Sequence, residues 1–271
     1  MRTQLTFGLC IAGICLVTPS ALGAPGDPRP SGVRLEGRFN MRGTLTQVDN
    51  VRGEHRGQPV ERLWTFFPRC TFGACGRVTL RRRRSARRIL DMVVLRRGAR
   101  GLYVGMGRFW IALRCDGATV HHGGRATERI TVRVTQTKLV GRTQLATGLR
   151  ATYTNSSREN LTRCPGGIGH DAARYRGARA NPLPGPPTAA FTDTIDPLTS
   201  TAAFTDRSQA GAGSPSIVSW SWNFGEPSSP DDAANERNPT HRYRFPGIYT
   251  VTLTIRDRYG QTATTSSRVT V

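Results

Sequence analysis

The chain has 271 residues, of which 39 are Lys or Arg and 18 are Asp or Glu, for a formal charge of +21. That length gives room for one or two domains. Its longest apolar stretch, Leu5 to Val17, is too short to span a bilayer comfortably, so no transmembrane segment is expected in the mature chain.

In chain order, Arg2 forms a short positive start, Leu5 to Val17 is apolar, and Ala21-Leu22-Gly23 is a small-residue cleavage site. Residues 1–23 thus read as a signal peptide, with 24–30 as a disordered mature start rich in proline. Leu9 and Ile14 precede Cys10 and Cys15 where a lipoprotein signal needs a small residue, so free secretion to the extracellular space is expected.

Residues 31–178 carry short alternating runs and no long 3.6-residue pattern. Phe39, Met41 and Leu45 alternate with Arg38, Asn40, Arg42 and Thr44. Leu63 to Phe67, Val78 to Leu80, Ile89 to Leu95, Leu102 to Phe109, Trp110 to Arg114, Ala118 to His121, Arg129 to Thr137 and Gln144 to Tyr153 follow. Gly98 to Gly101, Gly123-Gly124 and Gly141 read as turns. The pattern predicts an antiparallel barrel or sandwich, with Tyr103 and Trp110 in its core in preference to exposed positions where they would stack on a sugar.

With the signal removed, Cys70, Cys75, Cys115 and Cys164 remain, and four cysteines in an exported chain argue for two disulfides with three connectivities open. The choice is Cys70–Cys75, closing the Phe72-Gly73-Ala74 turn, and Cys115–Cys164. Zinc is disfavoured, because a single C-x4-C pair without nearby histidines is not a ligand set. The run Trp64-Thr-Phe-Phe-Pro-Arg-Cys70, Gly73-Ala-Cys75, Gly101-Leu-Tyr103 and the late Cys164 resembles an uncharacterised secreted domain of high-GC Gram-positive bacteria, which implies export and two disulfides but no chemistry.

Residues 24–180 hold 31 basic against 10 acidic side chains, whereas 181–271 hold 7 against 8, so the charge belongs to the first domain. Only Lys138 is lysine, a bias expected of a GC-rich coding genome. The densest cluster, Arg81, Arg82, Arg83, Arg84, Arg87 and Arg88, is the candidate binding site for phosphate or carboxylate groups of anionic envelope polymers. The plainer account is a solvated strand whose charge blocks edge-to-edge association. Aromatic residues that could stack bases are sparse nearby, which argues against nucleic acid.

Residues 179–187 include Asn181-Pro-Leu-Pro-Gly-Pro-Pro187, a stiff connector expected to hold two domains apart. In residues 188–271, Val218, Trp220, Trp222 and Phe224 share one parity, and Tyr249, Val251, Leu253 and Ile255 alternate with threonines after a Pro246-Gly247 turn. These are strands with one buried face. Trp222-Asn-Phe-Gly225, followed by Asn238-Pro-Thr-His-Arg-Tyr243 and Pro246-Gly-Ile-Tyr249 running on to Asp257, resembles the PKD (polycystic kidney disease) domain. The resemblance implies an Ig-like sandwich whose motif residues (Trp220, Trp222, Phe224, Gly225, His241, Tyr243, Pro246, Gly247, Tyr249) are structural, with protein or carbohydrate contacts as the usual role. The family's acidic-glycine pair is replaced here by Glu226-Pro227.

His55, His121, His122, His170 and His241 lie outside any HExxH or G-x-S-x-G motif. Asp193, Asp196, Asp206, Asp231 and Asp232 lack the D-x-D-x-D-G calcium pattern, so no metal, cofactor or catalytic residue is assigned. The expectation is an all-β, secreted, non-catalytic binding or adhesion protein. The alternatives are a small hydrolase using Gly169-His170-Asp171, with the C-terminal sandwich as an appendage, or a barrel that encloses a small ligand.

Overall fold

The computed structural model describes residues 32–51, 53–83, 90–163, 169–214 and 216–271. The signal peptide, the mature start, Arg84, Arg87, Arg88 and Cys164 lie outside the described residues, as does the side chain of Arg83.

Eight strands form a closed, antiparallel up-and-down barrel. They are β1 (Gly37–Asp49), β2 (Pro59–Pro68), β3 (Arg77–Arg83), β4 (Leu90–Arg97), β5 (Leu102–Cys115), β6 (Ala118–Val140), β7 (Thr143–Asn160) and β8 (His170–Arg179). Each pairs with the next, and β8 returns to β1 through Phe39↔Arg179 to Asp49↔His170. Of the two architectures expected, the barrel is the one formed, and it is filled. Phe39, Met41, Trp64, Phe66, Tyr103 and Ile130 are all at most 1 % exposed along its interior, each contributing about 2 kcal/mol by burial. An eight-stranded barrel has an interior just wide enough for such side chains.

The predicted elements shift in two places. The runs at 102–109 and 110–114 are one strand, and so are those at 118–121 and 129–137. Gly123 and Gly124 are therefore no turn but a buried crossing point inside β6, where a Cβ would lie 2.9 Å from the Leu113 side chain and 3.0 Å from the Glu159 carbonyl. Beyond it β5 and β6 continue as a ribbon past the barrel wall. Trp110, expected in the core, lies opposite Arg125 just before that ribbon begins, 53 % exposed, with its ring 5.1 Å from that of His122 on the ribbon.

Val33 and Leu35 are buried in one end of the barrel. Between them the Arg34 guanidinium donates to the Gly73 carbonyl at 3.0 Å and the Cys70 carbonyl at 3.2 Å. These bonds hold the loop that the Cys70–Cys75 disulfide closes. Cys115 is also disulfide-bonded; its expected partner is outside the described residues.

The C-terminal part has one sheet of β9 (Phe191–Asp196), β10 (Thr201–Asp206) and β13 (Thr240–Arg242). The other contains β11 (Ile217–Asn223), β12 (Ala233–Ala234), β14 (Ile248–Asp257) and β15 (Thr262–Thr270). Trp222, Phe224, Val251, Leu253 and Ile255 are each no more than 1 % exposed between the sheets, as their alternation predicts. Trp220 is only half-buried, since a bulge at Ile217/Ser219 turns the strand at that end.

The connector does not hold the two parts apart. The β6–β7 turn docks on the β14–β15 turn: Tyr259 is 2 % exposed against Val140, Leu145 and Leu183, and its carbonyl accepts from Arg142 N at 2.8 Å and Thr143 Oγ1 at 3.1 Å. Gly141, at φ +56°, would carry a Cβ 2.6 Å from Gln261 N, so only glycine permits this approach. The connector's Leu183 is recruited into the contact.

Candidate functional site

The predicted arginine cluster divides as strand geometry demands. Val78, Leu80 and Arg82 share the inward parity of β3, and Arg81 the outward. Arg82 is 5 % exposed, ion-paired with Glu128 and with Asp91 at 3.0 Å, and its guanidinium lies over the rings of Tyr153 (4.9 Å) and Trp64 (5.7 Å). A buried, neutralised guanidinium cannot serve an external anion, so Arg82 leaves the candidate set. Arg81 remains exposed.

Around Arg82 one end of the interior is polar. Burial pushes the Glu128 carboxyl up to about 7, against the pull of Arg82 and helped by Asp91. Nearby, Asp171 accepts from Arg158 at 2.7 Å and Asn155 at 2.8 Å. Glu54 is raised by burial and by the Asp171 charge. His170 Nδ1 contacts the Asn155 carbonyl at 3.3 Å. His170 and Asp171 are thereby bonded to Asn155 and Arg158 within the barrel.

The outer wall of β6, β7, β8 and β1 carries what the sequence reading missed. Successive register pairs are Arg133↔Arg150, Arg150↔Arg176 and Arg176↔Arg42, with Glu61 opposite Arg42 at the end. Four exposed arginines thus stand side by side across four strands. One register step along lie Thr131, Thr152, Arg174 and Thr44. Among the described residues the row has one carboxylate contact, Arg42–Glu61 at 3.0 Å, with both side chains more than 70 % exposed. A groove of about 720 Å³ opens along both rows. Two smaller depressions, about 380 and 300 Å³, flank it and share Arg150 and Arg176, or Arg42, with it. These arginines are scattered in sequence; the signal that could have found them is the outward parity of each strand.

In the sandwich, His241 Nε2 meets Glu226 Oε2 at 3.0 Å, and the imidazole stacks on Phe224. Glu226 Oε1 also accepts from Arg244 N at 3.0 Å. His241 has the structural bond expected of it, and Glu226 binds within the fold where the usual acidic-glycine turn is missing. Among the described residues no group of three or more His, Cys, Asp or Glu converges to hold a metal.

An eight-stranded barrel joined to a seven-stranded two-sheet sandwich is the class of molecule these features define. Residues 184–271 match the family model described as PKD domain, and this part of the chain is a PKD domain. It is similar to the PKD1 domain of Vibrio anguillarum Epp (28 % identity, 33 % of this chain and 96 % of that one, TM-score 0.29). The PKD1 domain of the Vibrio cholerae metalloprotease PrtV gives 28 % identity over 32 % and 96 % of the chains, TM-score 0.28. Collagenase ColA of Bacillus cereus is 40 % identical over 55 residues, which span 20 % of this chain and 5 % of that protein. No helix among the described residues is long and apolar enough to cross a membrane, which says nothing of a β-barrel.

Proposed function

We propose that the protein is a secreted, non-catalytic binding protein of the cell envelope, in which the basic barrel engages anionic polymer and the PKD domain contacts protein or carbohydrate. The observation that carries this reading is the partition of charge in the barrel. Glu128, Asp91 and Asp171 are turned inward onto their own arginines, while Arg133, Arg150, Arg174 and Arg176 are exposed without a carboxylate partner among the described residues. Such a surface attracts polyanions at long range. Export is supported by the expected signal peptide together with the Cys70–Cys75 disulfide.

The test is retention of the protein on isolated cell wall before and after chemical removal of its anionic polymers. Retention that falls with rising salt and disappears on stripped wall is the expected result. Equal retention on stripped wall, or retention indifferent to salt, overturns the reading.

A further inference from the structure

We infer that the row Arg133–Arg150–Arg176–Arg42, with the parallel row Thr131–Thr152–Arg174–Thr44, is a docking track for a linear polyol phosphate polymer lying across the strands of the barrel wall. The inference rests on the reading just given and assigns it a face, a direction and a ligand chemistry.

Like charges directly opposite on neighbouring strands repel, and here three such pairs follow one another without a break. Strands are about 4.8 Å apart, so four guanidinium stems cover about 14 Å at their bases and fan further apart on a convex wall. A chain bearing one anionic group every several ångströms would meet them one by one, each guanidinium offering paired donors to phosphate oxygens. The second row adds the Arg174 guanidinium and the hydroxyls of Thr131, Thr152 and Thr44, donors and acceptors suited to a hydroxylated backbone. The three depressions all open on the arginine row.

The missing feature narrows the class. Of the residues lining these depressions the sole aromatic is Tyr175, 7 % exposed with its ring in the core. A single-stranded nucleic acid is held in part by rings on which its bases stack, and this wall offers none among the described residues. A flexible chain without rings, bearing phosphodiesters, fits the donors present.

The measurement is binding of the full chain to immobilised poly(glycerol phosphate), compared with polygalacturonate and oligo(dT) at matched charge concentration. The variant is Arg150→Gln/Arg176→Gln. The control is Arg77→Gln/Arg96→Gln, an opposed arginine pair on the other side of the barrel with the same change in net charge. The expected outcome is at least tenfold weaker binding for the row variant, with a log–log salt slope shallower by about 1.5, and less than twofold change for the control. The row variant should melt at the same or a higher temperature, because opposed like charges are removed; a lower one would mark the arginines as structural and overturn the track. Equal losses in both variants, or tighter binding of polygalacturonate or oligo(dT), would overturn the track or its ligand while leaving the broader reading in place. No binding of the unaltered chain to any of the three polymers would overturn both.

Discussion

Arg82 and Arg81 are neighbours with opposite fates, and the difference is parity alone. Inside the barrel Arg82 meets Glu128 and Asp91, and loss of either side of this network leaves a buried charge uncompensated. Arg82→Leu should therefore destabilise the barrel by about 3–5 kcal/mol in chemical denaturation; a change below 1 kcal/mol would show that the charges find solvent. The proton on Glu128 gives a second handle. Its folded carboxyl is raised to about 7 from 4.5, so the folded barrel holds that proton more tightly than the unfolded chain. Its contribution to stability is greatest below pH 4.5 and declines as the pH rises towards 7. The stability difference between Glu128→Gln and the parent should move in the variant's favour across that window; a pH-independent difference would sink the assignment. The inward parity of Val78, Leu80 and Arg82 was there to be read, but the run of four arginines hides it, and composition alone assigns all of them to solvent.

Among the elements, the loop at 70–75 is held by a disulfide and by Arg34, and the segment at 223–244 by Glu226. Closing so small a loop restricts the unfolded chain by about 2 kcal/mol, so replacing Cys70 and Cys75 together by alanine should cost that much. Arg34 would still bond the loop carbonyls, and a loss several-fold greater would mean that the disulfide also orders the barrel end. In the PKD domain Glu226 satisfies His241 and the Arg244 amide. Glu226→Ala should cost about 2 kcal/mol, since the buried His241 ring and the Arg244 amide lose their shared partner, and chemical denaturation would register it. The alternating strands β11 and β14 were legible because β-branched and aromatic residues mark one buried face. Glu226 was legible only as a departure from a motif. The β5–β6 ribbon was misread at Gly123-Gly124 because glycine permits a close crossing as readily as a turn, and sequence does not distinguish them.

For the molecule as a whole, the docked turns matter more than the connector. Arg258 bonds Glu36, which also pairs with Arg34, and Tyr259 fills the pocket beside Val140 and Leu183. The two domains should consequently melt in one calorimetric transition. Tyr259→Ala, at a cost of about 3 kcal/mol, should split it into two and raise the radius of gyration in solution scattering; an unchanged single transition would mean that the turns do not couple the domains. Proline density pointed to a spacer, whereas the contact depends on Gly141 and Tyr259 meeting across more than a hundred residues, and no local pattern announces such a pairing.

The meander order has a kinetic consequence. Seven pairings join consecutive strands and can form as hairpins, but the eighth joins Gly37–Asp49 to His170–Arg179, and closing that span costs about 4 kcal/mol of chain entropy. Until β8 is in place the nascent barrel has two open edges, each a template for another chain. The arginines of β8 and β1, Arg174, Arg176 and Arg42, stand on the seam where closure happens last. On this topology, an anionic chain laid across that seam would clamp the barrel shut and slow its unfolding.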